Sequence, residues 1–172
     1  SHELRTPLTG MLGFSEILLR DNSLSKDQKE NADYIFKSGK RLLKVLSDLL
    51  EISVIESGKF SIEITEFNIE EVIEDIFILL KDNFEKKGIV LKKQINGNSL
   101  IVCDQARIRQ ILFNLVGNAI KFTEVGEVIV IFTNDNEKYQ FNVKDTGIGI
   151  SKVNSKKIFN MFEQIESAMK RK

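Results

Sequence analysis

An apolar heptad runs through residues 35 to 52. Ile35, Leu42 and Leu49 recur every seven residues, Val45 and Ile52 fill the next position of the repeat, Leu46 flanks it, and Ser38 interrupts the seam. A seven-residue period belongs to helices that pack side by side. Upstream, Leu4, Leu8, Met11 and Leu18 recur at spacings of four, three and seven, the stripe of a first helix. Between the two lies Asp21-Asn22-Ser23-Leu24-Ser25, a turn and capping segment. Ser25, with Gln28 three residues on, makes a capping box for the second helix. The pattern predicts one helix from near residue 1 to Arg20 and a second from the Ser25 cap to about Ser57, with Gly58 at its terminus. Two antiparallel helices with one apolar stripe each cannot enclose a core alone. They need another surface, and a second copy of the hairpin, completing a four-helix bundle, is the simplest.

After Gly58 the period changes. Phe60-Ser61-Ile62-Glu63-Ile64 alternates apolar and polar residues, as a strand does. Residues 68–87 read as a helix with Ile69, Val72, Ile73, Ile76, Leu79 and Leu80 on one side, ended by Gly88. Ile89-Val90-Leu91 begins a strand, and Leu100 to Cys103 is a short buried one. Asp104 caps a helix that runs to about Phe122. Val128 to Thr133 and Tyr139 to Val143 form a strand pair across an Asn134-Asp135-Asn136 turn. The fold class is therefore α+β: a helical hairpin over 1–58, then an α/β sandwich over 60–172.

Composition narrows the function. Lys+Arg and Asp+Glu are both 25, so the net charge is zero and no basic excess draws in nucleic acid. At 42% hydrophobic the chain supports a packed core. Cys103 is the only cysteine, so no intramolecular disulfide forms; it lies in an apolar run and reads as a small core residue in a reducing compartment. No apolar run approaches the roughly 20 residues that span a bilayer, and no signal peptide is visible. The expected location is cytoplasmic, with no membrane contact from this segment. The chain starts in mid-pattern and is expected to be a fragment of a longer protein, one that is membrane-anchored if a sensor precedes it.

Three segments carry chemistry. The first is Ser1-His2-Glu3-Leu4-Arg5-Thr6-Pro7-Leu8, which holds the only histidine. On a helix His2 lies about 150° from the Leu4/Leu8/Met11 stripe and faces water, with Thr6 on the same face and Glu3 at its flank. Pro7 cannot donate to the carbonyl of Glu3 and loosens the helix there. A neutral imidazole has one lone pair to attack a phosphorus, and an adjacent carboxylate stabilises the charge that attack creates. The second segment is Arg107 to Thr123, where Ile108, Leu112, Leu115, Ala119 and Phe122 read as the buried stripe. Asn114, Asn118 and Lys121 then share one lateral face: two hard amide oxygens for Mg²⁺ and a point charge for phosphate. The third is Asp145-Thr146-Gly147-Ile148-Gly149-Ile150. Its glycines let the backbone approach a ligand and its carboxylate suits an exocyclic amine. No P-loop occurs.

Together these segments, in this order, resemble the core of sensor histidine kinases, hybrid kinases among them. The resemblance implies that His2 is the phosphoacceptor, Glu3 the base and Thr6 the residue that positions water in the reverse, phosphatase reaction. It implies ATP and Mg²⁺ as cofactors. Asn118 would ligate the metal with Asn114 and Lys121 in support, and Asp145, Gly147 and Gly149 would hold the adenine. Phe159 and Phe162, in Lys157-Ile158-Phe159-Asn160-Met161-Phe162, resemble the aromatic border of the ATP lid; a pair at this spacing also suits core packing, and both readings can hold. The family's second glycine motif does not occur through Lys172. The implied activity is autophosphorylation of His2 and transfer to an aspartate of a response-regulator receiver domain, by a homodimer. A non-catalytic scaffold and an ATP-hydrolysing relative are the alternatives. Asn114 stands where hydrolysing relatives carry a glutamate, and an amide cannot activate water.

Overall fold

The computed structural model describes residues 2–58, 61–135, 138–151 and 154–155, with the side chain of His2 outside that description. Two compact units result, Ser1–Ser61 and Ile62–Lys172.

The first unit is the hairpin. Helix α1 spans His2–Arg20 and runs through Pro7; α2 spans Lys26–Glu56. The link is ordered by two short-range devices. Asp21 Oδ1 accepts from Ser23 N at 2.8 Å and from Ser23 Oγ at 2.7 Å, which lowers the Asp21 pKa. The Ser25 capping box then closes in both directions: Gln28 N donates to Ser25 Oγ at 3.3 Å and Ser25 N donates to Gln28 Oε1 at 2.8 Å. Among the described residues, Leu8, Ser15 and Ala32 are the buried side chains of the hairpin, and Leu12 fills the space over Gly39, where a Cβ would stand 2.9 Å from Leu12 Cδ2. The inward line of α1 is thus Leu8, Leu12 and Ser15. Of the stripe expected from spacing, Leu4, Met11 and Leu18 are exposed instead. The heptad of α2 also faces outward, with Ile35 51%, Leu42 58% and Leu49 40% exposed. Each helix carries more apolar residues than one contact line uses, so the second line is left open.

The second unit is a two-layer sandwich. Strand β1 is Thr65–Asn68, not the alternating run 60–64; residues 61–64 precede it without strand pairing, and Ile62 and Ile64 are exposed. Asn68 caps α3, Ile69–Leu79, by accepting from Glu70 N at 3.0 Å. The single helix expected over 68–87 breaks at Leu80, and a short α4, Lys81–Glu85, follows. Leu80 is buried while Leu79 is exposed, so the break turns one leucine inward at the other's expense. Strand β2 is Ile89–Asn96 and β3 is Leu100–Cys103. In β3 only Ile101 is buried, because β3 pairs with β1 alone in a two-stranded sheet. Helix α5 is Gln105–Phe122. Strands β4, Gly126–Asn134, and β5, Tyr139–Asp145, are antiparallel as expected.

The sequence does not announce one pairing: β2 lies parallel to the other edge of β4, giving the sheet order β2-β4-β5. Such a pairing needs a long crossover, here the chain through β3 and α5. Alternate residues of β4, Val128, Val130 and Phe132, are fully buried and meet α3 (Ile69, Val72, Ile73, Ile76) and α5 (Leu112, Val116, Ile120) in one core. Cys103 packs against that core, half-buried.

Candidate nucleotide site

Asp104 sets the start of α5. It is buried, and its carboxylate accepts from Glu63 N and Arg107 N, both at 3.0 Å. The Glu63 bond first, and the Arg107 bond second, hold its pKa below the usual carboxylate value. An ion pair from Arg109 to Asp75, 2.8 Å, ties the next turn to α3.

The buried face of α5 is Leu112, Val116, Ala119 and Ile120. The expected stripe instead included Leu115 and Phe122, which are 45% and 37% exposed. At about 100° per residue the true face is rotated by about 60° from the expected one. The rotation matters for the site. It leaves Asn114, Asn118 and Lys121 exposed along one side of the helix, and it places Ile111, Leu115 and Phe122 as an open apolar border beside them. Lys121 Nζ lies over the Phe122 ring, 4.9 Å from its centroid. On the opposite flank a depression of about 380 Å³ is lined by Asn83, Lys86, Lys87, Gly117, Ile120 and Lys121.

The Asp145 turn reaches the same end of α5. Asp145 is the last residue of β5 and pairs with Val128, so it stands on the helix-facing side of the sheet. Its Oδ1 accepts from Gly147 N at 2.9 Å, an Asx turn. Ile148 N then donates to the carbonyl of Phe122 at 3.2 Å. Gly147 passes so close to Phe122 that a Cβ would stand 2.9 Å from the Phe122 carbonyl carbon; any side chain would push the turn off the helix. Gly149, at φ 67°, sits where other residues are strained. Thr146 anchors the other side, its hydroxyl accepting from Glu127 N at 3.0 Å and its own N–H donating to Glu127 O at 3.2 Å.

The structure thus brings the turn after Asp145 against the C-terminal end of α5 at Phe122, and the exposed side of that helix carries Asn114, Asn118 and Lys121; Gly149 follows two residues after Gly147. Glu3 and Thr6 are exposed on α1 in the other unit. The direction of the His2 side chain, and Phe159 and Phe162, lie outside the described residues. Sequence reasoning overlooked Thr146 and Lys87. Lys87 precedes the helix-ending Gly88 and donates to the carbonyls of Ile120 at 2.7 Å, Lys121 at 2.9 Å and Thr123 at 2.9 Å. The signal available was a helix end without a local glycine cap at Phe122-Thr123-Glu124.

Comparison with known proteins agrees with this arrangement. Residues 1–58 match the His Kinase A (phospho-acceptor) domain, and residues 103–172 match the histidine kinase-, DNA gyrase B- and HSP90-like ATPase domain. The autoinducer 2 sensor kinase/phosphatase LuxQ of Vibrio parahaemolyticus is 38% identical over 99% of this chain and 21% of its own length. The signal transduction histidine-protein kinase BarA of Escherichia coli is 33% identical over 100% of this chain and 19% of its own. The chain therefore spans about a fifth of the length of these relatives. Among solved structures, full-length ShkA in complex with AMPPNP matches with a TM-score of 0.81 at 31% identity, over 95% of this chain and 35% of that one. Histidine kinase ThkA in complex with response regulator TrrA matches at 0.68 and 28% identity, over 95% and 48%. With a phosphoacceptor hairpin followed by an ATPase-type sandwich, the chain belongs to the sensor histidine kinase family.

Proposed function

We propose that this chain is the core of an ATP-dependent protein histidine kinase that phosphorylates itself on His2 and passes the phosphoryl group to an aspartate of a response-regulator receiver domain. The observation that carries this reading is the junction at the end of α5. One hydrogen bond, from Ile148 N to Phe122 O, and the close passage of Gly147 bring a carboxylate suited to an adenine amine next to a face suited to phosphates. An AMPPNP complex in ShkA and a response-regulator complex in ThkA agree with the nucleotide and the partner.

Asp145 accepts from the adenine amino group, and Gly147 and Gly149 let the base approach the backbone. Lys121 meets the phosphates as a point charge. The donors present fit Mg²⁺: the exposed Asn118 amide, supported by Asn114, would offer a hard oxygen to an ion brought in with the nucleotide. When bound, the ion draws charge off the phosphate oxygens. The His2 ring nitrogen attacks the γ-phosphorus with its lone pair, the bond to the bridging oxygen breaks, and ADP leaves. Glu3 takes the proton from the other ring nitrogen. Thr6 orients water when the phosphoryl group is removed. Asn114 has no basic oxygen with which to activate water, which favours transfer over hydrolysis. The hairpin works as a homodimer, its 1–58 segment joined to the ATP-binding segment that begins at 60. Phe159 and Phe162 border the lid. Dependence on ATP and a lone thiol at Cys103 suit a reaction in the cytoplasm.

In the intact parent kinase, γ-labelled ATP should yield an acid-labile, base-stable label that His2→Gln abolishes while nucleotide binding survives. Asn118→Ala should weaken Mg²⁺-ATP more than metal-free nucleotide; Asp145→Ala should weaken both. Labelling that persists in His2→Gln sinks the phosphoacceptor assignment. Equal losses in both conditions for both variants overturn the assignment of roles.

A further inference from the structure

Helix α5 ends without a cap of its own. Thr123, the C-cap residue, is extended, at φ −98° and ψ 127°, and its N–H makes the last intrahelical bond, to Ala119 O at 3.0 Å. The carbonyls of Ile120, Lys121, Phe122 and Thr123 are then left to find donors elsewhere, as the last carbonyls of any helix must. A glycine in the left-handed region is the usual solution, and none follows here. Instead the Lys87 ammonium takes three of the four, Ile120, Lys121 and Thr123, at 2.7 to 2.9 Å. The fourth, Phe122 O, goes to Ile148 N of the Asp145 turn. One crown of carbonyls is therefore shared between a cation on one side and the turn on the other.

Lys87 is itself held in place. It follows α4 and precedes Gly88, at φ 65°, after which Ile89 is buried and opens β2 in register with Gly126 of β4. A cation at a helix C-terminus is favoured by the helix dipole, and an ammonium with three donors matches three carbonyls. The carbonyls it fixes belong to the turn that carries Lys121 and follows Asn118.

We propose that Lys87 is a positioning residue of the nucleotide site, locking the end of α5 so that the asparagine face and the Asp145 turn are presented together. This rests on the nucleotide reading above. In this proposal Lys87 acts through the Phe122 carbonyl, whose two neighbours along the chain it holds, and so on Ile148 and Asp145.

The test uses the intact parent kinase and a non-hydrolysable ATP analogue. Lys87→Met keeps the apolar stem and removes the ammonium. Binding should weaken roughly tenfold, and amide exchange without nucleotide should quicken at the end of α5 and over Asp145 to Ile150, with the β4 and α3 amides unchanged. Lys87→Arg, which restores several donors, should recover most of the affinity. Ile73→Ala, a core change in α3 that leaves the Lys87 hydrogen bonds in place, serves as the control for general destabilisation. Wild-type affinity in Lys87→Met, with Asn118→Ala and Asp145→Ala impaired, overturns this proposal and leaves the nucleotide reading intact. Faster exchange throughout the sandwich, or an equal loss of affinity in Ile73→Ala, also overturns it. If Asn118→Ala and Asp145→Ala bind like the wild type, the nucleotide reading falls and the role of Lys87 with it.

Discussion

The hairpin and the sandwich solve the burial problem in opposite ways. In the sandwich, two helices cover one sheet face, and Ile69, Val72, Ile73, Val128, Val130 and Phe132 lose essentially all their exposure. In the hairpin, among the described residues, the buried apolar side chains are Leu8 and Ala32, and Ile35, Leu42, Val45 and Leu49 of the heptad remain exposed. Two helices meet along a single line, whereas a sheet offers a plane. Surface ion pairs such as Lys37–Asp33 at 2.5 Å and Lys44–Asp48 at 3.5 Å add only about 0.3–0.5 kcal/mol each. One unit is thus stable through its own interior, and the other through whatever covers its seam. That difference suits the proposed function, in which His2 on the hairpin is offered to other molecules and the nucleotide is held beside a packed core.

The sharpest way to break this contrast is at the seam. Leu42→Asp places a charge where a second hairpin would bury it, at a cost of several kcal/mol in a closed interface. Light scattering should show dimers of the wild type at micromolar concentration and monomers or aggregates of the variant, with the sandwich still folded. A monodisperse wild-type monomer would count heavily against the bundle. The counterpart in the sandwich is Ile73→Ala, which should cost about 2–5 kcal/mol. Its unfolding midpoint should fall independently of protein concentration, whereas that of the hairpin should depend on it.

A smaller effect in the sandwich depends on pH. The Asp104 carboxylate has a lowered pKa because it accepts from Glu63 N and Arg107 N. The stabilisation it gives is fully present above the unfolded value near 3.8 and is lost as pH falls from there through the lower folded value. Acid titration of the wild type should therefore show a loss of sandwich stability below pH 3.8 that Asp104→Ala, already destabilised at neutral pH, lacks. An identical acid slope in the two proteins would remove Asp104 from this role.

The smallest expected effect is a gain. Thr123 Oγ1 is buried and has no partner among the described residues, and an unsatisfied buried hydroxyl costs about 1–3 kcal/mol. The backbone groups of Thr123 bond to Ala119 and Lys87 whatever the side chain. Thr123→Val should therefore raise the midpoint of the sandwich, by about 1 kcal/mol at most after imperfect packing. A clear loss of stability would mean that the hydroxyl holds a partner in solution.

Sequence alone determined the local devices. The Ser25 capping box, the Asp104 cap, the β4–β5 hairpin and the outward heptad of α2 depend on residues a few positions apart, and short-range chemistry fixed them. The residue types at the candidate nucleotide site were legible through the family resemblance, because asparagines at helical spacing argue only mildly for a ligand and a carboxylate before paired glycines also suits a plain turn. Only the tertiary structure decided which apolar line of α1 and of α5 turns inward. Both helices have two lines to choose from, and hydrophobicity cannot rank them; the partner surface does. Strand β1 falls at Thr65–Asn68 because β3 offers a ladder there, though the better alternation lies earlier. The parallel pairing of β2 with β4, and the capture of the α5 terminus by Lys87, join residues more than thirty positions apart. Such contacts exist only when the whole core closes, so no local pattern could contain them.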